Sequence, residues 1–203
     1  MNAVEMFLLS HAITHELGVG EPEGNFSLGH SRLRGLNEAQ VRLRPQGWNS
    51  LAFIYWHMAR VEDVTINVLV ARAPQVLDAG AWPARLRVER RDVGTGWSDD
   101  EVDALSRAID LDALRGYRDA VGHRTRDVAR AVPEGAWGEI VGSGPVLEAA
   151  RQGAFAPGAE WVGEFWSGRT TGWLFYWGAV GHNFMHLGQA GWVKEMVRGQ
   201  RGM

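Results

Sequence analysis

Cysteine is absent from this 203-residue sequence. Its absence excludes disulfide bonds, thiolate metal ligands, a cysteine nucleophile and iron–sulfur clusters together. Any metal ion bound by the chain must therefore be held by histidine, aspartate, glutamate or water. Seven histidines are available for that role.

An excess of basic charge is also missing. The chain has 21 Lys and Arg against 24 Asp and Glu, a formal net charge of -3, and no basic stripe. We therefore expect binding neither to nucleic acid nor to an anionic membrane surface, since both demand clustered positive charge. The sequence also contains no run of ~18 apolar residues, which a helix needs to span a bilayer. The first residues lack the basic start of a signal peptide, and we expect a cytoplasmic protein.

Helical periodicity dominates what the sequence does contain. Apolar residues recur at three- and four-residue intervals in four long stretches, which predicts an all-α fold in a single domain over residues 1–203. The predicted long helices cover about residues 3–17, 50–72, 111–132 and 163–198. The second is apolar over more than half its circumference, so it should be a central helix with several neighbours.

Shorter elements connect these helices. Asn37 and Ser98 stand where they can cap short helices, and Ser98 has Glu101 three residues later, as in a capping box. Residues 134–160 lack a clear period and predict a long connection with at most a helical turn or two. The best strand candidate is ARLRVERRDV, residues 84–93.

Two pairs of histidines stand one helical turn apart: His11 with His15, and His182 with His186. Residues four apart lie about 40° apart around a helix, so both imidazoles of a pair point the same way and could chelate a metal. His57, in the second long helix, completes a set of three with the later pair if it faces the fourth helix. Three imidazoles suit zinc, nickel, copper or iron(II) better than magnesium or calcium. The alternative is that these histidines are buried and only form hydrogen bonds.

Two charged residues follow His57 on the same helix. Arg60 lies about 60° from His57 and could hold an anionic substrate group, unless it is a solvated or salt-bridged surface arginine. Glu62 lies about 140° from His57, which points it elsewhere, and it is not counted as a ligand.

Ten tryptophans are a heavy load for a chain of this length. Most are expected in the core or at an interface, but Trp56 and Trp177 could wall an apolar pocket beside the histidines. Gln189 shares the helix face of His182 and His186 and is a further candidate for the pocket wall. So many aromatic side chains exceed what one core needs, so we expect a homodimer.

A stripe of four glycines adjoins the later histidine pair: Gly178, Gly181, Gly188 and Gly191. Each interior glycine costs a helix about 1 kcal/mol relative to alanine. The stripe therefore predicts that a neighbouring backbone, or a ligand, needs the space.

Two motifs in this order resemble the DinB/YfiT-like superfamily of metalloenzymes, in particular its DinB-like branch. They are RPQGWNSLAFIYWHMARVEDV and, far downstream, GHNFMHLGQ; the resemblance spans roughly residues 26–200. It implies a four-helix bundle with a long crossover connection and a divalent metal held by His57, His182 and His186. Relatives of this kind include thiol transferases that use bacillithiol, mycothiol or glutathione, and a maleylpyruvate isomerase. The pair His11 and His15 departs from the family pattern, and His15 could reach the pocket as a proton carrier.

Three functions remain open at this point. The first is a metal-dependent enzyme in which the ion, zinc or nickel before iron(II) or copper, lowers the pKa of a thiol or a water. The activated group would attack a small electrophilic substrate, by thiol transfer or by hydrolysis. The second is a non-catalytic bundle that binds a small molecule or uses the metal structurally. The third has buried histidines and no metal.

Overall fold

The computed structural model describes residues 2–20 and 26–199. Residues 1, 21–25 and 200–203 of the predicted domain lie outside the described residues. Within the described ranges the β-type contacts amount to one isolated bridge between Ile140 and Thr170. The prediction of an all-α fold is confirmed.

The α-helices, in chain order, are α1 (Ala3–Thr14), α2 (Leu28–Leu33), α3 (Glu38–Arg42), α4 (Leu51–Asp63), α5 (Val76–Ala79), α6 (Trp82–Leu86), α7 (Asp99–Ala108), α8 (Leu111–Ala131), α9 (Ser143–Arg151), α10 (Trp161–Trp166), α11 (Thr171–Phe175) and α12 (His182–Gly199).

α4 is the central helix, as predicted. The Ser50 side chain caps it by accepting a hydrogen bond from the Phe53 N–H, and all 13 of its residues are buried. The helix runs on into a π-helical segment, Val64–Val70, so the predicted helix over residues 50–72 agrees with the structure to within two residues. α4 packs against α3, α7, α8 and α12, which is why apolar side chains surround it.

The fourth long helix begins later than predicted. α10 ends at Trp166, and Gly168 then adopts a left-handed conformation with φ of 68°. The side chain of Thr170 caps α11 by accepting a hydrogen bond from the Trp173 N–H. The prediction of one helix from residue 163 is therefore wrong for its first turns. From Thr171 the chain runs through α11, a π-helical segment Tyr176–Gly181 and α12.

Three other segments differ from prediction. α1 ends at Thr14, three residues early. The connection over residues 134–160 contains α9, whose nine residues exceed the predicted turn or two. The strand predicted for residues 84–93 does not form, because α6 occupies its start. Pro83 lies in the first turn of α6, where its fixed φ suits a helix, and Arg87 ends that helix in a left-handed conformation with φ of 57°.

The two remaining long helices, α1 and α8, pack around the centre of the fold. α8 packs against α4, and α1 packs against α2, α8 and the π-helical segment Tyr176–Gly181. Asn37 and Ser98 both form the predicted caps, each in a capping box. The arrangement as a four-helix bundle stays a prediction. Among the described helices, none has the length and apolar character needed to cross a bilayer.

The glycine stripe of the last helix proves uneven. At Gly178 an added Cβ would lie 2.1 Å from Oγ1 of Thr65, so the two π-helical segments touch at this glycine. At Gly188 an added Cβ would meet nothing within 4 Å. Close packing therefore explains Gly178 but not Gly188.

Candidate metal centre

Packing of α4 against α12 brings three histidines together. His57 lies in the middle of α4, His182 begins α12 and His186 follows one turn later. One ring nitrogen from each lies within 4.8 Å of the other two, and Nε2 of His57 is 3.1 Å from Nε2 of His182. Two ligands of a tetrahedral zinc ion, each at about 2.05 Å, would be about 3.3 Å apart. The spacing therefore fits a single divalent cation.

Two of the rings are held by hydrogen bonds on their far side. Nδ1–H of His57 donates to the carbonyl of Val93, and Nδ1–H of His186 donates to Oε1 of Gln189 at 3.0 Å. Each bond places the ring proton on Nδ1 and leaves the lone pair on Nε2, toward the centre of the cluster. Metal-binding histidines are generally oriented in this way. Nδ1 of His182 is buried and has no such partner among the residues that the structure describes.

Burial keeps the three imidazoles neutral. Burial, together with nearby His186, lowers the pKa of His57 to about 4. Burial also holds the pKa of His182 well below its usual range and lowers that of His186. At pH 7 the rings are therefore in the form that can donate a lone pair to a cation.

The cluster forms one wall of a cavity of about 260 Å³. Aromatic and aliphatic side chains make most of the other walls, with Trp161 and Met185, which are 56% and 55% exposed, at its edge. No Asp, Glu, Lys or Arg is among the described residues that line it. The described lining consists of His57, Val61, Thr95, Trp161, Val162, Phe165, Trp166, Trp177, His182, Met185 and His186.

The predicted wall residues separate into two groups. Trp177 lines the cavity, and Gln189 contacts the cluster from outside by its bond to His186. Trp56 does not line it: its side chain is fully buried against Trp97 and Phe53. A tryptophan next to His57 in the sequence points about 100° away around the helix, which here is into the core.

Arg60 also lies away from the cavity. Its side chain is fully buried, and its guanidinium donates to Asp63 at 3.2 Å, to the hydroxyl of Tyr117 at 2.7 Å and to Gln75 at 2.6 Å. Neither anion binding in the pocket nor a place on the surface agrees with this position. The sequence gives the angle between Arg60 and His57, but not the neighbours that occupy that direction.

His15 does not reach the cavity either, because it belongs to a second cluster with His11 and Glu62. Nε2 of His11 and Nε2 of His15 are each 2.9 Å from a carboxylate oxygen of Glu62. The amide of Asn183 donates to the same carboxylate at 2.9 Å. Glu62 does point away from His57, as its angle predicted, but the sequence reasoning missed its partners. The available signal was a carboxylate in the middle of an otherwise apolar helix.

The chain resembles known proteins over most of its length. A family model described as the DinB superfamily matches residues 28–190; this range contains His57, His182 and His186 but neither His11 nor His15. The crystal structure of a conserved protein from Enterococcus faecalis has a similar fold, with a TM-score of 0.68 and 16% sequence identity. The similarity covers 98% of this chain and 99% of that one. No curated protein matches this chain.

Proposed function

Because this chain belongs to the DinB superfamily, we propose that it is a metal-dependent enzyme acting on a small electrophilic substrate. His57, His182 and His186 would hold a divalent cation, zinc or nickel before iron(II) or copper. The observation that carries the proposal is the convergence of three neutral imidazoles on one side of an aromatic-walled cavity. Three protein ligands leave a coordination position for a further group, as in catalytic zinc sites.

The cation, when bound, would supply a Lewis acid that lowers the pKa of a thiol or a water. The chain itself supplies the setting for that chemistry. Three neutral ligands leave the full charge of the cation uncompensated, and the described lining of the cavity has no carboxylate to neutralise it. An anionic nucleophile such as a thiolate is favoured in such a site.

The thiol must come from a second molecule, because the chain contains no cysteine. A low-molecular-weight thiol of the bacillithiol, mycothiol or glutathione kind would meet this need. The walls formed by Phe165, Trp166 and Trp177 would receive an apolar part of the electrophile and keep water away from it. Hydrolysis, with water in place of the thiol, is the other reaction that this arrangement supports.

One observation favours a different function, that of a small-molecule binding protein without catalysis. Beyond the three histidines, the described lining contains no side chain able to act as a general base at neutral pH. A binding protein needs no such group, whereas hydrolysis usually does. Thiol transfer is affected less, because a thiolate formed at the cation requires no further deprotonation.

The experiment that tests the proposal combines metal content with a thiol-transfer screen. The purified protein, loaded with zinc or nickel, is offered each thiol together with a chromogenic aryl halide and an epoxide, and thiol consumption is measured. His186→Gln should lose both the metal at this centre and turnover. His123→Gln, which removes an exposed histidine of α8, is the matched control and should retain both.

The outcomes separate the candidate functions. Metal binding with turnover that depends on His186 supports the enzyme. Metal binding and ligand binding without turnover of any tested thiol or of water would support the binding protein. Absence of stoichiometric metal uptake by the wild-type chain would contradict both readings of the metal centre.

A further inference from the structure

Glu62 is a buried carboxylate that forms no ion pair with a described lysine or arginine. It lies about 140° around α4 from His57, and its side chain has no exposed surface. Within the part of the chain that the structure describes, its ion pairs are with His11 and His15 alone. The buried guanidinium of Arg118 lies nearby but donates to the carbonyl of Thr14 at 2.7 Å. A charge at this depth normally requires a compensating cation.

The protonation states of Glu62 and His15 follow from their burial and their mutual contact. Burial acts to raise the pKa of Glu62, but His15 and His11, which donate hydrogen bonds to it, hold that pKa well below its usual range. Burial lowers the pKa of His15 to about 3, so this ring is neutral when it donates to Glu62. The carboxylate is therefore ionised at neutral pH.

We propose that His11, His15 and Glu62 form a second divalent-cation site, distinct from the cluster beside the cavity. One ligand atom from each of the three residues lies within 4.8 Å of the other two. Oε1 of Glu62 faces Nε2 of His11 and Oε2 faces Nε2 of His15, each at 2.9 Å. Ligands about 2.1 Å from a tetrahedral cation are separated by about 3.4 Å, so each ring would have to move about 0.5 Å away from the carboxylate. Two nitrogens and two oxygens give four donors, a set that suits zinc.

Binding requires each ring to change its tautomer, with no net loss of protons. In the metal-bound form each ring would carry its proton on Nδ1, and the lone pair of Nε2 would bind the cation. Within the described ranges, Nδ1 of His11 and Nδ1 of His15 have no hydrogen-bond partner, so the change breaks no bond on that side. The bound cation would add two positive charges beside the buried carboxylate of Glu62.

This second site is closed, unlike the first. All three side chains are fully buried, and the neighbouring helices are shaped around His15. A Cβ added at Gly122 of α8 would lie 2.7 Å from Nδ1 of His15, and one added at Gly29 of α2 would lie 2.6 Å from the carbonyl oxygen of Thr14. A closed set of four donors is typical of structural rather than catalytic zinc.

The site would fasten the first helix to the centre of the fold. His11 is in α1 and His15 directly follows it, whereas Glu62 is in α4. Asn183 of α12, the neighbour of His182, holds the same carboxylate. Because both histidines precede residue 28, where the family match begins, the site adds to the metal centre proposed above and does not depend on it.

The test is the number of zinc ions bound per chain, measured by isothermal titration and by elemental analysis after dialysis. The wild-type apoprotein should bind two equivalents. Glu62→Gln keeps the size and polarity of the side chain, removes its charge, and should bind one. The double variant His182→Gln/His186→Gln should also bind one, and X-ray absorption of that ion should show oxygen as well as nitrogen donors. His123→Gln should bind two.

Each result of the zinc titration either supports the second site or overturns it. Two equivalents in the wild type, with one lost in Glu62→Gln, support the site. No ion in the double variant overturns it, as does a folded Glu62→Gln protein that binds as many ions as the wild type. If Glu62→Gln fails to fold, the double variant alone decides, because it leaves the second cluster intact. Failure of the first centre would instead appear as an unchanged equivalent count in the double variant.

Discussion

Gln189 should control how tightly the metal centre binds its cation, although it is not a ligand itself. Its Oε1 accepts the Nδ1–H of His186 at 3.0 Å, and this bond fixes the orientation and tautomer of the ring. Gln189→Leu keeps approximate size but removes the acceptor. Loss of such an outer bond typically weakens metal binding by about 10–100-fold, which corresponds to about 1.4–2.7 kcal/mol.

The assay is a competition titration of zinc against a chromophoric chelator at pH 7, followed for the equivalent that His186→Gln removes. Gln189 is only half-buried, so Gln189→Leu should unfold at nearly the temperature of the wild type. Gln189→Glu, which restores an acceptor and adds a charge, should bind zinc at least as tightly as the wild type. Wild-type affinity in Gln189→Leu, together with loss of binding in His186→Gln, would refute the role given to this bond.

Two further predictions concern packing and pH. Gly178→Ala should destabilise the fold by about 1–3 kcal/mol in urea unfolding, because the added Cβ meets Thr65 at 2.1 Å. Gly188→Ala, on the same helix with no neighbour within 4 Å, should instead stabilise it by up to about 1 kcal/mol; equal effects would contradict the packing described. The apoprotein should lose stability as the pH falls from about 6.5 toward 4. In the folded chain the pKa of His57 is about 4 and that of His15 about 3. The same two histidines therefore bind protons at a higher pH in the unfolded chain than in the folded one. Urea unfolding at several pH values measures this, and a flat profile would contradict buried neutral rings.

Much of the fold follows from local patterns that the sequence displays openly. The central helix and the caps at Asn37 and Ser98 depend on neighbours in the chain, and all agree with the structure. The break at Gly168 was missed because the aromatic residues on either side keep a helical period across it. A glycine that takes a left-handed conformation cannot be distinguished by its letter from one that stays in a helix.

The candidate site was only partly accessible from the sequence. The distance between His57 and the pair on α12 could be anticipated only through a family resemblance, since no local pattern joins residues so far apart. The angle between Glu62 and His57 around their helix correctly predicted that Glu62 points away from His57. The angle of Arg60 relative to His57 did not predict its surroundings, because the sequence does not show which residues lie on that side of the helix. The guanidinium of Arg60 contacts Tyr117 and Asp63 there. The role of the three histidines as metal ligands stays a prediction.

The π-helical segment before His182 changes the angles that a regular helical wheel would assign to the residues after it. Its wider turns accommodate one more residue than an α-helix would over the same rise. A projection started at Thr171 with standard winding therefore misplaces everything after Gly181 by about 100°. Deleting a single residue between Tyr176 and Gly181 would restore regular winding, and it would leave both imidazoles of α12 facing the ring on α4.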